Sequence, residues 1–409
     1  MFTNSWDDFI KLSNLRLAMN TALESQTSSW HDFIQPAYDD KGKPNFLNSH
    51  GEVLEGIYTD MPNEVYHALD AHSSTGIKTF AKGRHHYYRQ YLSNICRLRT
   101  KQQEFTFDAG TYGHMLVLEP HNFHGNYMRN PVPEDFPDIE LIDSIPQLKE
   151  ALASRGLAVS GAKAALIERL YESDPTLPIF EKLREKMICE FLDQRYKNYL
   201  RTDAELDDMA KFYGIDVSLN REAKINAIVE ISPTQPIWEK LIATHVIDHI
   251  VWDDAFRVQK STRAHPKADW LLSDGYPELS IIARCPKTGL LLKIRFDWLR
   301  NDAIAVDLKT TLSTNPTKFG YQVRDLRYDL QQVFYCYVAN LAGVPVNVFA
   351  FVATEYKDAD NCETFELSQR KVEESKEDLF QYLEEFNEAL TTGNWYGHDK
   401  SRSTWVIDV

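Results

Sequence analysis

Three apolar runs, residues 278–285, 290–299 and 303–311, follow one another closely, separated only by Pro286-Lys287-Thr288-Gly289 and Arg300-Asn301-Asp302. Short runs divided by turn residues predict three strands joined by hairpins, an antiparallel meander. Strand side chains alternate with period two. Asp307 and Lys309 therefore fall on one face of the third strand, and Ile304, Val306 and Leu308 on the other. Apolar residues at helical spacing over Asp108–Glu119 predict a helix that stops at Pro120. A helix is expected near 237–262, ahead of the strands. After them come a helix near 324–341, a strand over VPVNVFAFVATE and a long charged helix near 367–391. The pattern predicts an α+β fold, a mixed sheet flanked by helices.

Breaks in the pattern divide the chain. Residues 1–55 read as an amphipathic helical lead-in with the turn-rich DDKGKPN near its end, and GIYTD then begins a strand. NYMRNPVPEDFPDIELIDSIP holds four prolines among many acids, a linker composition, and ISPTQP at 231–236 is a second break. The expected organisation is a core of 56–139 and 236–409, interrupted by a helical insert over 140–235.

Composition narrows the class. The 409 residues are 43% hydrophobic and include 8 Trp, 20 Tyr and 21 Phe, enough to build a folded core. The net charge of −15 argues mildly against nucleic acid, but local patches decide such binding. One patch runs from Lys78 to Lys101 with Lys82, Arg84, Arg89, Arg97 and Arg99, plus His85 and His86, and contains no acid. Phe80, Tyr87, Tyr88 and Tyr91 interleave with it, as in a groove that tracks a phosphate backbone and stacks bases. Lys78, Lys82, Arg84 and Arg89 are its candidate DNA contacts. Five scattered cysteines without a C-x-x-C pair predict reduced thiols, no disulfide framework, no zinc knuckle and no iron–sulfur cluster. MFTNSWDDFIK lacks the apolar stretch of a signal peptide, and no 18-residue apolar run predicts a membrane span. The expected compartment is the cytoplasm. No Gly-rich phosphate loop supports the use of ATP. His245 and His249 stand at i, i+4, but Val246 occupies the place of a metalloprotease glutamate, so the pair reads as packing.

The chemistry concentrates in RFDWLRNDAIAVDLKTT. Asp297 and Asp307 flank one hairpin, and Lys309 shares the face of Asp307. Two acids and a lysine on a half-buried sheet are costly unless they hold a metal or each other. Oxygen ligands beside a lysine suit metal-assisted phosphodiester cleavage. Downstream, Gln331 and Tyr335 share a helix face; upstream, Gly110 and His114 are likewise four apart, and Gly110 would permit close backbone approach.

GLLLKIRFDWL, AIAVDLKTT and YDLQQVFY together resemble the PD-(D/E)XK nuclease superfamily with its Gln-x3-Tyr helix motif. Within it, the chain resembles the nuclease domain of exodeoxyribonuclease VIII, the RecE type. SSTGIKTFAK, FDAGTYGHMLVLEP and AHPKADWLLSDGYPELSI extend the likeness over residues 57–125 and 245–385. The resemblance implies that Asp297, Asp307, His114 and the Leu308 carbonyl hold metal, with Glu278 an additional acid. Lys309 would activate water or steady the phosphate, and Gln331 and Tyr335 would orient the phosphate or Lys309. Phe296 stands where the family has the proline of its motif. The same resemblance implies Mg²⁺, replaceable by Mn²⁺, and 5′→3′ degradation of linear double-stranded DNA. It further implies a single-strand annealing protein as partner, and a homo-oligomeric ring. The alternatives are a structure-specific or restriction-like endonuclease, and a non-cutting DNA-binding protein on the same scaffold.

The insert carries a separate signal. Leu148, Leu152, Gly156-Leu157, Gly161, Lys163, Leu166, Arg169 and Leu170 resemble a SAP motif, two short helices around a Gly-Leu turn. The resemblance implies binding to duplex DNA, with Lys149, Arg155, Lys163 and Arg169 as phosphate contacts. A fainter copy follows at 206–230, with Gly214 at its turn.

Overall fold

The computed structural model describes residues 29–93, 95 and 101–396, with the backbone alone for 101–109. Cys96, Arg97, Arg99 and the side chain of Lys101 lie outside the described residues, as does the helix expected over 1–28. The chain divides into two compact units, one from the described parts of Met1–Glu119 and Phe256–Val409, the other Pro120–Ala255.

The first unit is built on an eight-stranded sheet among the described residues. Its strands are β1 (Ile34–Pro36), β2 (Gly56–Thr59), β3 (His72–Ser73), β4 (Gly275–Arg284), β5 (Leu291–Arg300), β6 (Ile304–Thr311), β7 (Val348–Glu355) and β8 (Cys362–Phe365). The order is β1-β2-β4-β5-β6-β7-β8, with β3 also pairing β5. β4, β5 and β6 form the expected antiparallel meander. β7 runs parallel to β6. Parallel neighbours need a crossover, and the helices Pro316–Asp325 and Tyr328–Leu341 lie between these two strands in the chain. β7 is buried along nearly its whole length, which is why it reads as a continuous apolar run.

Residues 29–55 correct the expected helical lead-in. After a single 3-10 turn at Trp30–Phe33 they form β1 and two isolated bridges, Tyr38 to Pro44 and Leu47 to Val53. Trp30, Ala37 and Phe46 are buried in the core, and β1 extends the sheet parallel to β2. The helix expected over 324–341 is two helices, because Arg327 adopts φ +51° and pairs with Asp329 and Asp378. The one expected over 237–262 is also broken, into Trp238–His245 and His249–Ala264. Val246–Ile247 leave the helix to pair with Met128–Arg129.

Helices close over the sheet through apolar stripes. Gln369–Thr392 buries Leu379, Leu383, Phe386 and Ala389 at helical spacing. Phe386 meets Phe80 of the Ser74–Ala81 helix at 5.2 Å between ring centroids. Ser73 caps that helix, accepting a hydrogen bond from the Gly76 N–H, and Ile77 and Phe80 are buried beneath it.

The second unit contains the expected insert but extends beyond 140–235 at both ends. Met128, Ile188, Leu192 and Leu241 pack in one cluster and tie the flanks to the helices. Inside the unit a structural motif recurs with an offset of 58 positions, as between Ile142 and Leu200, Gly156 and Gly214, and Ile179 and Ile237. Each copy opens on a capping box, Ser144 with Gln147 and Thr202 with Glu205. Its helices are Ile145–Ala153 and Lys163–Ser173 in the first, and Asp203–Tyr213 and Arg221–Ile231 in the second. Gly156 and Gly214 both take φ +70° at the turn. Parallel bridges Ile142–Ile179 and Leu200–Ile237 close the copies.

A basic residue at the start of each second helix clasps its copy. Lys163 donates to the Asp143 carbonyl at 2.8 Å and pairs with Glu181. Arg221 donates to the Arg201 carbonyl at 2.6 Å and to Glu239 at 2.6 Å. Lys163, expected at a phosphate, is thus engaged inside its own module. Arg169 donates to the Ala158 and Ser160 carbonyls, and Arg155 to the Ala151 carbonyl. Lys149 is exposed. His245 and His249 form no metal pair, since His245 is buried between the Tyr196 hydroxyl at 2.6 Å and the Asn126 carbonyl at 2.7 Å.

Lys163→Met removes the first clasp while keeping the length of the chain. The ion pair is partly exposed, so the expected loss is only about 0.5–1 kcal/mol of unfolding free energy. Denaturant titration followed by hydrogen exchange in residues 142–180 measures it, and parent-like protection there would show that the clasp contributes nothing.

Candidate active site

Strand register creates the site. β4 and β5 pair on both sides of one gap: Pro277 lies opposite Trp298, and Leu279 opposite Phe296. That register sets Glu278 across from Asp297, yet neither enters the ladder. Glu278 has φ +48°, a left-handed conformation uncommon for a residue other than Gly, Asn or Asp. β5 and β6 pair only at Trp298–Val306 and Leu299–Ala305. One step further the register would set Asp297 opposite Asp307, but the strands part there. The Leu308 N–H donates instead to Asp297 Oδ2 at 2.7 Å. In an extended strand the N–H and C=O of one residue point to the same side, so the Leu308 carbonyl also faces this opening. Three carboxylates from three neighbouring strands stand in a row where β4, β5 and β6 leave their mutual ladders.

Helices bring the remaining groups. The Lys101–Leu118 helix carries His114, whose Nε2 lies 3.0 Å from Asp297 Oδ2 and whose Nδ1 lies 3.9 Å from Glu278 Oε1. Gly110, one turn earlier, lets this helix close on β6, since a Cβ there would stand 2.9 Å from Thr310 Oγ1. Lys309 Nζ lies 2.5 Å from Asp307 Oδ2. From the Tyr328–Leu341 helix, Gln331 Nε2 donates to Asp307 Oδ1 at 2.7 Å. Tyr335, one turn on, has its ring against Phe296 at 5.4 Å.

The electrostatics follow from burial and neighbours. Burial opposes the charge on His114, but Asp297 and Glu278 outweigh it and raise its pKa to about 9. Burial raises Glu278 to about 7 despite His114. Asp297 is also buried, but His114 and Lys309 hold it below the usual carboxylate value. Asp307 is pushed up by burial, against the pull of Lys309. Lys309 stays charged although buried, because Asp307 and Asp297 flank it.

Two cations escaped the sequence reading. Arg295 is buried, donates to Ser280 Oγ at 2.9 Å and the Met61 carbonyl at 2.8 Å, and reaches within 3.7 Å of Glu278. Lys293 is buried on the Tyr66 and Leu69 carbonyls, both at 2.8 Å, where it closes the end of the Asn63–Ala68 helix. Lys293, Arg295 and Asp297 alternate in LLKIRFD; charges at every second position of an apolar strand were the available signal.

The residues expected along a basic groove separate. Lys78 turns to the site, donating to Gln331 Oε1 at 3.0 Å. Arg84 is tied to Glu388 at 2.7 Å and to the Asn394 carbonyl. Lys82 and Arg89 line a surface hollow with Thr79, His85, His86 and Gln90.

The donor set fits a hard divalent cation. Ligand atoms of His114, Glu278 and Asp297 lie within 4.8 Å of one another. Asp307 Oδ2 is buried, and its polar partner among the described residues is Lys309 Nζ. Oxygen-rich sites of this kind select Mg²⁺, Ca²⁺ or Mn²⁺.

Comparison with known proteins agrees with this core and with one copy of the helical motif. Residues 240–400 match the profile of a family described as a PDDEXK-like domain of unknown function, DUF3799. Residues 144–175 match the SAP domain profile. No curated protein matches the chain. Among solved structures, a "Putative exonuclease" from Eubacterium rectale is 12% identical, covers 50% of this chain and 73% of its own, and superposes with a TM-score of 0.30. SSO0001 is 13% identical, covers 50% of this chain and 86% of its own, with a TM-score of 0.20. The profile matches identify a PDDEXK-like domain at 240–400 and a SAP domain at 144–175.

Proposed function

We propose that this chain is a divalent-metal-dependent DNA nuclease, and more specifically an exonuclease on linear double-stranded DNA. The observation that carries the reading is the row of Glu278, Asp297 and Asp307 across β4, β5 and β6, with Lys309 beside Asp307 and His114 beside Asp297. Glu278, Asp297, Asp307, His114 and the Leu308 carbonyl would hold Mg²⁺, with Mn²⁺ able to substitute. Such a cation, when bound, neutralises phosphate charge and makes water a better nucleophile.

The side chains supply the rest. Gln331 holds Oδ1 of Asp307 and Lys309 holds Oδ2, which fixes the carboxylate, and a bound cation would share Oδ2 with Lys309. Lys309 keeps its proton and would donate a hydrogen bond to a phosphate oxygen, steadying the charge that builds there, or hold the attacking water in position. Water adds to phosphorus, the bridging P–O bond breaks, and one product ends in a phosphate monoester and the other in a hydroxyl. Tyr335 anchors the helix that carries Gln331. Lys82 and Arg89 would meet the DNA backbone near the core. Lys149, with Arg155, Lys163 and Arg169 wherever their internal bonds can be exchanged, would meet it on the SAP domain. The 5′→3′ polarity, the 3′ single strands passed to an annealing protein, and assembly into a ring rest on the resemblance to RecE-type nucleases.

Asp307→Asn and Lys309→Ala should each slow cleavage roughly 10²–10⁴-fold while the protein remains folded, with Lys309→Ala melting lower because it leaves Asp307 buried without its cation. Near-parental turnover of either variant at saturating Mg²⁺ would remove the assignment. Chelator should abolish cleavage by the parent protein. His114→Ala should raise the Mg²⁺ concentration for half-maximal rate, roughly 10–100-fold if the imidazole supports the metal. An unchanged metal requirement would make His114 a packing residue. End-labelled linear duplex should be degraded while closed circles survive; cutting of closed circles at a similar rate would replace the exonuclease with an endonuclease.

A further inference from the structure

Lys78 differs from the other basic residues of its segment. It sits half-buried on the Ser74–Ala81 helix and donates to Gln331 Oε1 at 3.0 Å. Gln331 Nε2 donates in turn to Asp307 Oδ1 at 2.7 Å. The two bonds fix the amide in one orientation, with oxygen to the cation and nitrogen to the anion. The amide therefore stands between Lys78 and Asp307 and prevents a direct pair that would neutralise both. Among the described residues Lys78 forms no ion pair with a carboxylate.

An ammonium has three donors, and among the described residues Lys78 uses one. The Nζ atoms of Lys78 and Lys309 both lie near the ring of Tyr328, at 5.7 and 4.9 Å from its centroid. Lys309 has a carboxylate partner and Lys78 has none among the described residues, so an anion near the ring would be drawn to both ammonium groups and would relieve their mutual repulsion. A phosphate has the charge and the spread of oxygens to accept from both. The surrounding acids do not compete, because Asp307 is already engaged by Gln331 and Lys309.

We propose that Lys78 and Lys309 form a two-ammonium seat for one phosphate of the DNA strand, with Lys78 held in place by Gln331. The inference rests on the nuclease reading for the identity of the phosphate. Lys78 then touches substrate, and Gln331 is a positioning residue with two partners.

The test uses the full chain without divalent metal, so that binding is read apart from cleavage. A short fluorescent duplex with 5′-phosphate ends, and the same duplex with 5′-hydroxyl ends, is titrated at several salt concentrations against the parent, Lys78→Met and Lys78→Arg. Thermal melting confirms that each variant is folded. The log–log salt slope should fall by about 0.9 in Lys78→Met, the value for one phosphate contact, and return in Lys78→Arg. With Mg²⁺ restored, Lys78→Met should lose roughly 10²-fold in kcat, and Lys78→Arg should recover part of it. An equal fall on both duplexes assigns the seat to an internal phosphodiester; a fall confined to the phosphorylated ends assigns it to a terminal phosphate. A folded Lys78→Met with parental slope and rate overturns the seat. If Lys78→Met does not fold, Lys78→Gln, which keeps a donor for Gln331 but no charge, makes the same comparison. A parent that cuts no DNA, while the slope still falls in Lys78→Met, would sink the nuclease reading and leave the phosphate seat standing.

Discussion

Carboxylates held close together and away from water repel one another and lose hydration, and much of the core's arrangement answers that constraint. Glu278, Asp297 and Asp307 occupy neighbouring strands at one level of the sheet. The backbone accommodates them by leaving its ladder on both sides, with Glu278 in a left-handed conformation and β5 parting from β6. Strain of this kind persists only where the surroundings over-determine it. Here they do: β4 and β5 are paired above and below Glu278, so the single unpaired residue cannot relax without breaking its neighbours.

Cations and amides then partition the negative charge. Arg295 lies under Glu278, His114 against Asp297, and Lys309 with Gln331 against Asp307. Each of these groups arrives from a different element, and each is fixed by packing or bonds of its own. Arg295 is buried on the Met61 carbonyl and stacked 4.2 Å from the Tyr66 ring centroid. His114 depends on a helix that can approach β6 because Gly110 has no side chain. His114, Glu278 and Asp297 still keep ligand atoms within 4.8 Å of one another, the closeness that a metal site requires.

The second unit shows the same economy of means in a different setting. Two copies of one helical motif, offset by 58 positions, keep the cap, the glycine turn, the bridge and the clasp. Their surfaces differ: Lys149 and Arg169 of the first correspond to Asp207 and Ala227 of the second. Asp207 turns inward to pair with the buried Lys224. The internal framework is therefore shared, while the candidate phosphate contacts belong to the first copy, the one that matches the SAP profile.

The sequence by itself determined what depends on neighbours along the chain. Apolar runs divided by turn residues in 278–311 were enough for the meander, helical spacing for the Lys101–Leu118 helix from Asp108 onward, and the hairpin for bringing Asp297 toward Asp307. Local pattern failed where distant contacts decide. Ile34–Pro36 joined the sheet because β2 offered them an edge, and the helices near 324–341 and 237–262 broke at Arg327 and at Val246–Ile247, where ion pairs and a remote strand outweigh helix propensity. Charge was legible, but direction was not. Lys78, Arg84, Lys163 and Arg169 all read as surface cations, and the fold turned Lys78 toward the carboxylates, Arg84 onto Glu388, and the other two onto their own backbone. A long basic side chain can swing to whichever acceptor the packed elements bring within reach, and that choice exists only after the chain has folded.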